Sequence, residues 1–150
     1  MYVLDNNVVK EIDGASPDPN VMNWLHSVDD GDIYIAVTVI MEQRKGIEAA
    51  RKKRNANLNE LSNGEARLKK LIADFWDKFL HVDNEIAEEW GRLYGEKQTD
   101  IIDLLISASA NVRGFTVVTR NVDHFKGRAK KIIDPFEYNK SPPIRRRGRP

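Results

Sequence analysis

Four acidic residues stand where a folded chain of this pattern can bring them together. Asp5 follows the apolar stretch "YVL", Glu42 lies two residues past "IYIAVTVI", Asp103 sits within "DIIDLLISASANVRG", and Asp123 comes just beyond "FTVVT". Carboxylates a few ångströms apart raise one another's pKa, and burial adds to the effect. A divalent cation replaces that repulsion with attraction. Mg2+ (or Mn2+) suits such a cluster, because it accepts a few carboxylates, keeps several waters and takes phosphate oxygens as its remaining ligands. A cation held this way generates hydroxide from water and neutralises charge on a phosphodiester. The chemistry implied is metal-dependent phosphodiester hydrolysis, with Asp5, Asp103 and Asp123 on the metal and Glu42 bound through water or orienting the attacking water.

Each acid also has an ordinary structural reading. Asp5 can start a turn or cap a helix beginning at Val8. Glu42 can be an acid favoured by a helix dipole near its N-terminus, and Asp123 a plain loop residue. Asp103 resists such a reading. Ile101, Ile102, Leu104, Leu105 and Ile106 surround it, and an unpaired carboxylate buried among them is costly. Asp100 reads more simply as a first-turn acid behind Thr99 as N-cap.

The elements that would position these acids can be read from the apolar pattern. Strands are predicted at 2–4, 33–40, 115–119 and 131–133, with a short extended piece at 79–83. Helical spacing marks a segment ending at Gly14, another over 19–28, a long region from about Met41 to Phe79, one at "NEIAEEWGRLYGE" and one over 100–114. Gly46 reads as an interruption of the long region, and the apolar face of 68–79 as core or dimer surface. Strands that alternate with helices predict a three-layer α/β/α fold with a central, mainly parallel sheet of four to five strands. In such sheets ligands bind outside the carboxyl ends of the strands. Three of the four acids fall near such ends.

Composition narrows the class. The chain has 150 residues, 41% of them apolar and 31% charged, enough for one charged-surfaced domain with a modest core. No apolar run approaches the roughly 20 residues that span a bilayer, and no basic stretch leads into an apolar one at the N-terminus. Cysteine is absent, so thiolate zinc sites and disulfides are excluded. The three histidines, His26, His81 and His124, are scattered, and the expected metal donors are therefore oxygens. A cytoplasmic location is expected. The net charge of +1 conceals an asymmetry. Residues 138–150 hold five basic side chains and no acid, so residues 1–137 carry 19 basic against 23 acidic. The tail "KSPPIRRRGRP" is expected to be disordered, either a solubilising end or an arm that grips polyanions.

The wording around the acids is informative in its own right. "VLDNNVV", "VTVIMEQRKGIE", "DLLISASANVRGFTVVTRNVDHF" and "IIDPF" resemble the successive motif blocks of the PIN-domain family, and most closely its VapC-type toxins. The resemblance spans residues 1–137, a PIN-like nuclease domain, and leaves out the tail at 138–150. It implies a Mg2+- or Mn2+-dependent endoribonuclease, the toxin of a toxin–antitoxin pair. It also implies RNA as substrate, a homodimer and a cognate antitoxin. By position, the motif acids fall on Asp5, Glu42, Asp103 and Asp123. Asn7, Thr119 and Asn121 match the polar residues around the metal site, and Arg120, Lys126 and Arg128 are candidates for the RNA path. Asn6 and Gln43 depart from the pattern, which has threonine and leucine there.

Other readings of the same residues are a catalytically inactive PIN-like module that binds RNA or protein, and a magnesium-binding phospho-receiver domain. The receiver would show an adjacent acidic pair after the first strand, where this chain has Asp5 followed by Asn6 and Asn7. A haloacid-dehalogenase-type phosphatase would want an aspartate at Asn7.

Overall fold

A computed structural model describes residues 1–96 and 100–140. Five short strands form one sheet, β1 (Tyr2–Leu4), β2 (Ile33–Ala36), β3 (Phe79–Leu80), β4 (Thr116–Val118) and β5 (Ile132–Ile133), in the order β3-β2-β1-β4-β5. Every pairing is parallel, with Leu4 opposite Ile35 on one side and opposite Val118 on the other. Parallel strands need crossovers, and helices supply them. These are α1 (Asn6–Ile12), α2 (Pro19–Ser27), α3 (Thr38–Arg51), α4 (Leu58–Asp74), α5 (Asn84–Glu96), α6 (Ile101–Arg113) and α7 (Val122–Phe125).

Period-2 alternation along the central strands divides the core into two layers. Leu4, Ile35 and Val118 pack on one face of the sheet with Val8, Val21, Trp24, Val39 and Leu71 from the first four helices. Val3, Ala36 and Val117 pack on the other with Ile106, Ala110 and Phe125 from α6 and α7. Helix α5 lies outside α6 through Ile86, Leu93, Leu104 and Ala108. Both sheet faces are covered, so the strands carry near-continuous apolar runs. The three-layer architecture expected from the sequence is the one observed.

Local boundaries differ in places. The apolar run 33–40 is half strand and half helix: β2 ends at Ala36, and α3 begins at Thr38. Val39 is fully buried in the same cluster as Ile35, so periodicity alone does not separate a buried strand from the first turn of a buried helix. Glu42 therefore sits within α3 rather than just past a strand. The helix runs straight through Gly46, whose surroundings are open. The long helical region is two helices, with Asn57 capping the second through the amides of Asn59 and Glu60. On α4, Leu68 and Leu71 are core, whereas Ile72 is half-exposed and Trp76 beyond its end is 76% exposed. Gly114 takes φ +71, the left-handed cap that ends α6. A 3-10 turn over Pro135–Lys140 follows β5. The rest of the basic tail, residues 141–150, lies outside the described residues. Thr99 does too, and Asp100 itself caps α6 by accepting from the Ile102 amide at 2.8 Å. No helix among the described residues is long and apolar enough to cross a membrane.

Candidate functional site

The strand order reverses at β1, which has β2 on one side and β4 on the other. Crevices open at such switch points, at the carboxyl ends of the strands. Here that end carries a cleft of about 710 Å³ lined by Asp5, Glu42, Asp100, Asp103, Asp123 and His124, with Lys10, Arg120, Lys126 and Arg128 among the remaining lining groups. All four acids predicted from sequence reach it.

Asp5 is the most firmly placed. Its amide continues the β1–β4 ladder by donating to the Val118 carbonyl at 3.0 Å, and its own carbonyl accepts from Val8 and Val9 to start α1. The residue is 6% exposed. Oδ1 accepts from the Asn6 amide at 2.7 Å, and Oδ2 accepts from Asn7 Nδ2 and Thr119 Oγ1, each at 2.7 Å. Thr119 Oγ1 in turn accepts from Asn7 Nδ2 and the Asn121 amide, and Asn7 Oδ1 accepts from the Arg120 amide. The structural role of Asp5 as a helix cap and a place in the site are thus compatible, because its two oxygens do different things. The two asparagines after it are not a simple bend. Asn7 ties α1 to the end of β4, and Asn6 Oδ1 accepts from Gln43 Nε2 at 3.3 Å, tying α1 to α3 beside Glu42. Asn6 and Gln43, the two departures from the family pattern, are partners of each other.

Asp103 enters from the first turn of α6. That helix leads into β4, so its N-terminus lies at the strands' carboxyl end. Burial, together with the charges of Asp5 and Asp100, pushes its carboxyl above the ordinary 3.8, against a hydrogen bond from His124 that pulls it down. Glu42 comes from α3, and burial followed by the charges of Asp5 and Asp103 pushes it above the ordinary 4.5. The acids therefore feel one another, as the sequence reading requires.

Asp123 lines the rim differently. Its side chain is 85% exposed and bonded to Lys126 at 2.6 Å, which pulls its pKa down. The neighbouring His124 reaches the acids instead, with Nδ1 at 3.0 Å from Asp103 Oδ2. Arg120 lays its guanidinium over the Phe136 ring, 3.8 Å from the centroid, and stands 3.8 Å from Glu11. Arg128 donates to the His124 carbonyl. Sequence reasoning missed His124 and set Asp100 aside. The spacing of Asp100 and Asp103, three residues apart, was the available signal that both share a helix face.

The donor set fits a hard divalent cation in kind: carboxylate oxygens, with the Glu42 and Asp103 carboxyls raised first by burial and then by neighbouring carboxylates. Among the described residues, no three acidic or histidine side chains stand close enough to grip one ion in their present orientations. Asp5 and Asp103 are held by hydrogen bonds to Thr119, Asn7 and His124 instead.

Comparison with known proteins agrees with this architecture. The family model described as PIN domain matches residues 2–131. The VapC ribonuclease Y4jK of Sinorhizobium fredii is 30% identical over 144 residues, covering 91% of this chain and 99% of that protein. Toxin FitB of Neisseria gonorrhoeae is 25% identical over 144 residues, with the same coverage of 91% and 99%. The crystal structure of FitAcB from Neisseria gonorrhoeae superposes with a TM-score of 0.76 at 24% identity, covering 91% of this chain and 99% of that one.

Proposed function

The chain belongs to the PIN-domain family, and from that premise we propose that it is a Mg2+- or Mn2+-dependent endoribonuclease, the toxin of a toxin–antitoxin pair. The observation that carries the reading is the meeting of Asp5, Glu42 and Asp103, from three separate elements, in one cleft at the carboxyl ends of the strands. The names of the relatives, a VapC ribonuclease and a toxin, support RNA as the substrate and a toxin's role.

Asp5 and Asp103 would hold the cation, with Glu42 beside them. A bound divalent cation supplies a water of lowered pKa and neutralises charge on the scissile phosphate. Glu42 lines the same cleft and would orient the attacking water and accept its proton. Thr119 and Asn7 keep the Asp5 carboxylate from turning. Arg120, Lys126 and Arg128 line the same cleft and would take the flanking phosphates of the RNA. A cognate antitoxin, a homodimer and a cytoplasmic setting belong to the same proposal.

The test is cleavage of defined RNAs with Mg2+ or Mn2+ against an EDTA control. Cleavage should appear with either metal, vanish with EDTA, and fall by about 10³-fold or more in Asp103→Asn, the loss expected when several kcal/mol of transition-state stabilisation go. Unchanged cleavage in EDTA or in that variant would rule the mechanism out.

A further inference from the structure

We propose that Arg120 and Phe136 form a stacking platform for one unpaired nucleobase of the RNA, on a nucleotide flanking the scissile phosphate. The inference rests on the ribonuclease reading above and deepens it, because it says which form of RNA the cleft accepts. The Arg120 guanidinium carbon lies 3.8 Å from the centroid of the Phe136 ring, a stacking separation. The ring is fixed from beneath. Phe136 is 7% exposed in the cluster that holds Leu4, Val8 and Trp24. Its amide donates to Asp134 Oδ1 at 2.9 Å, and its carbonyl accepts from Asn20 Nδ2 at 2.8 Å. The arginine is held at both ends. Its amide donates to Asn7 Oδ1 at 3.2 Å, and its Nη2 stands 3.8 Å from Glu11 Oε1, while Glu11 Oε2 accepts from the Asp18 amide at 2.7 Å. The Arg120 side chain is nevertheless 55% exposed and lines the cleft. With the ring against one face of the guanidinium, the other face is open.

Position and chemistry select the occupant of that face. Arg120 follows Thr119, whose hydroxyl donates to Asp5 Oδ2, so the platform begins one residue from a group that holds the acids in place. A guanidinium keeps its edge for a phosphate while its plane takes the π-face of an unstacked base. Glu11 offsets part of the charge at the edge and leaves the plane as it is. Every base has a π-face, so the platform selects unpaired nucleotides and not a particular base. A base stacked inside a duplex has no face to offer.

Fluorescence anisotropy of a labelled, unstructured RNA with the full chain, in EDTA so that nothing is cut, tests this in the wild type and in Arg120→Lys. Lysine keeps the charge and loses the plane. Copies of the RNA that carry one abasic nucleotide, moved position by position, should show a position whose missing base weakens wild-type binding at least about fivefold. Arg120→Lys should weaken binding of the intact RNA by the same factor, and its penalty for the abasic nucleotide should vanish, because the two changes remove one contact. An Arg120→Lys protein that binds the intact RNA like the wild type, or that keeps the abasic penalty, overturns the platform and leaves the carboxylate site untouched. A wild type with no sensitive position does the same. A wild type that binds no RNA overturns it too, while metal-dependent cleavage, measured separately, decides the nuclease reading. Circular dichroism of the variant confirms that the fold is retained.

Discussion

The cleft has two walls of different build. On the β1–β4 wall, Asp5 is buried and its carboxylate accepts from Asn6, Asn7 and Thr119, the last of them fully buried. On the α7 wall, Asp123, His124 and Lys126 are all exposed and hold on to single partners. The first wall is an extension of the sheet, so the positions of its atoms are set by the same hydrogen bonds that define β1 and β4. The second is a four-residue helix hung on Phe125, with exposed side chains. A site of this kind separates two tasks. The fixed wall places a carboxylate, and the exposed wall presents charge.

The comparison can be broken most sharply at Thr119. In Thr119→Val the shape is kept, but Asp5 Oδ2 loses a donor and Asn7 and the Asn121 amide lose an acceptor. Stability should drop by about 1–3 kcal/mol, the cost of leaving buried polar groups unpaired. Cleavage should fall by about 10–100-fold, as when a group that orients a metal ligand is removed. Urea unfolding and RNA cleavage read the two effects, and a variant that loses neither would mean that the wall is not held as described.

A smaller effect is expected from pH in the absence of metal. Asp103 and Glu42 have carboxyls raised above the ordinary 3.8 and 4.5, so the folded state holds their protons more tightly than the unfolded chain. The stability this confers is complete below the ordinary values and is lost as pH rises through the raised ones. In EDTA, Asp103→Asn should therefore melt above the wild type at neutral pH, by a few degrees at most because solvent screens a partly exposed group. The gap should close on acidification, and a gap that stays constant from mildly acidic to neutral pH would contradict the electrostatic picture. The smallest effect lies on the outer wall. Lys126→Ala frees the exposed Asp123 and should leave the melting temperature unchanged while weakening RNA binding, with a shallower salt dependence. An equal loss of stability on both walls would erase the distinction between them.

Much of the site could be read from the chain because its acids sit next to apolar runs. Asp5 follows three residues that suit a short buried strand, and Asp103 stands inside an apolar helix where a lone carboxylate needs a reason. Periodicity was less informative where burial is complete. Val37 to Ile40 continue the apolar run of β2, yet they turn into α3, and the helix expected from about Met41 begins at Thr38 instead, which puts Glu42 past its first turn. That His124 rather than Asp123 bonds to Asp103 depends on which way a helix of four residues is rotated, which a sequence pattern that short does not fix. The bond between Asn6 and Gln43 joins residues 37 apart, a pairing that exists only once α1 and α3 are packed.

Calorimetric titration of Mn2+ into the wild type, Asp5→Asn and Asp103→Asn, with melting temperatures measured alongside, addresses the central claim most directly. Saturable binding is expected in the wild type, with stabilisation of about 2.7 kcal/mol at a hundredfold excess over the dissociation constant, and both variants should lose most of the binding and the stabilisation. Equal binding by all three proteins would show that these carboxylates do not share a cation.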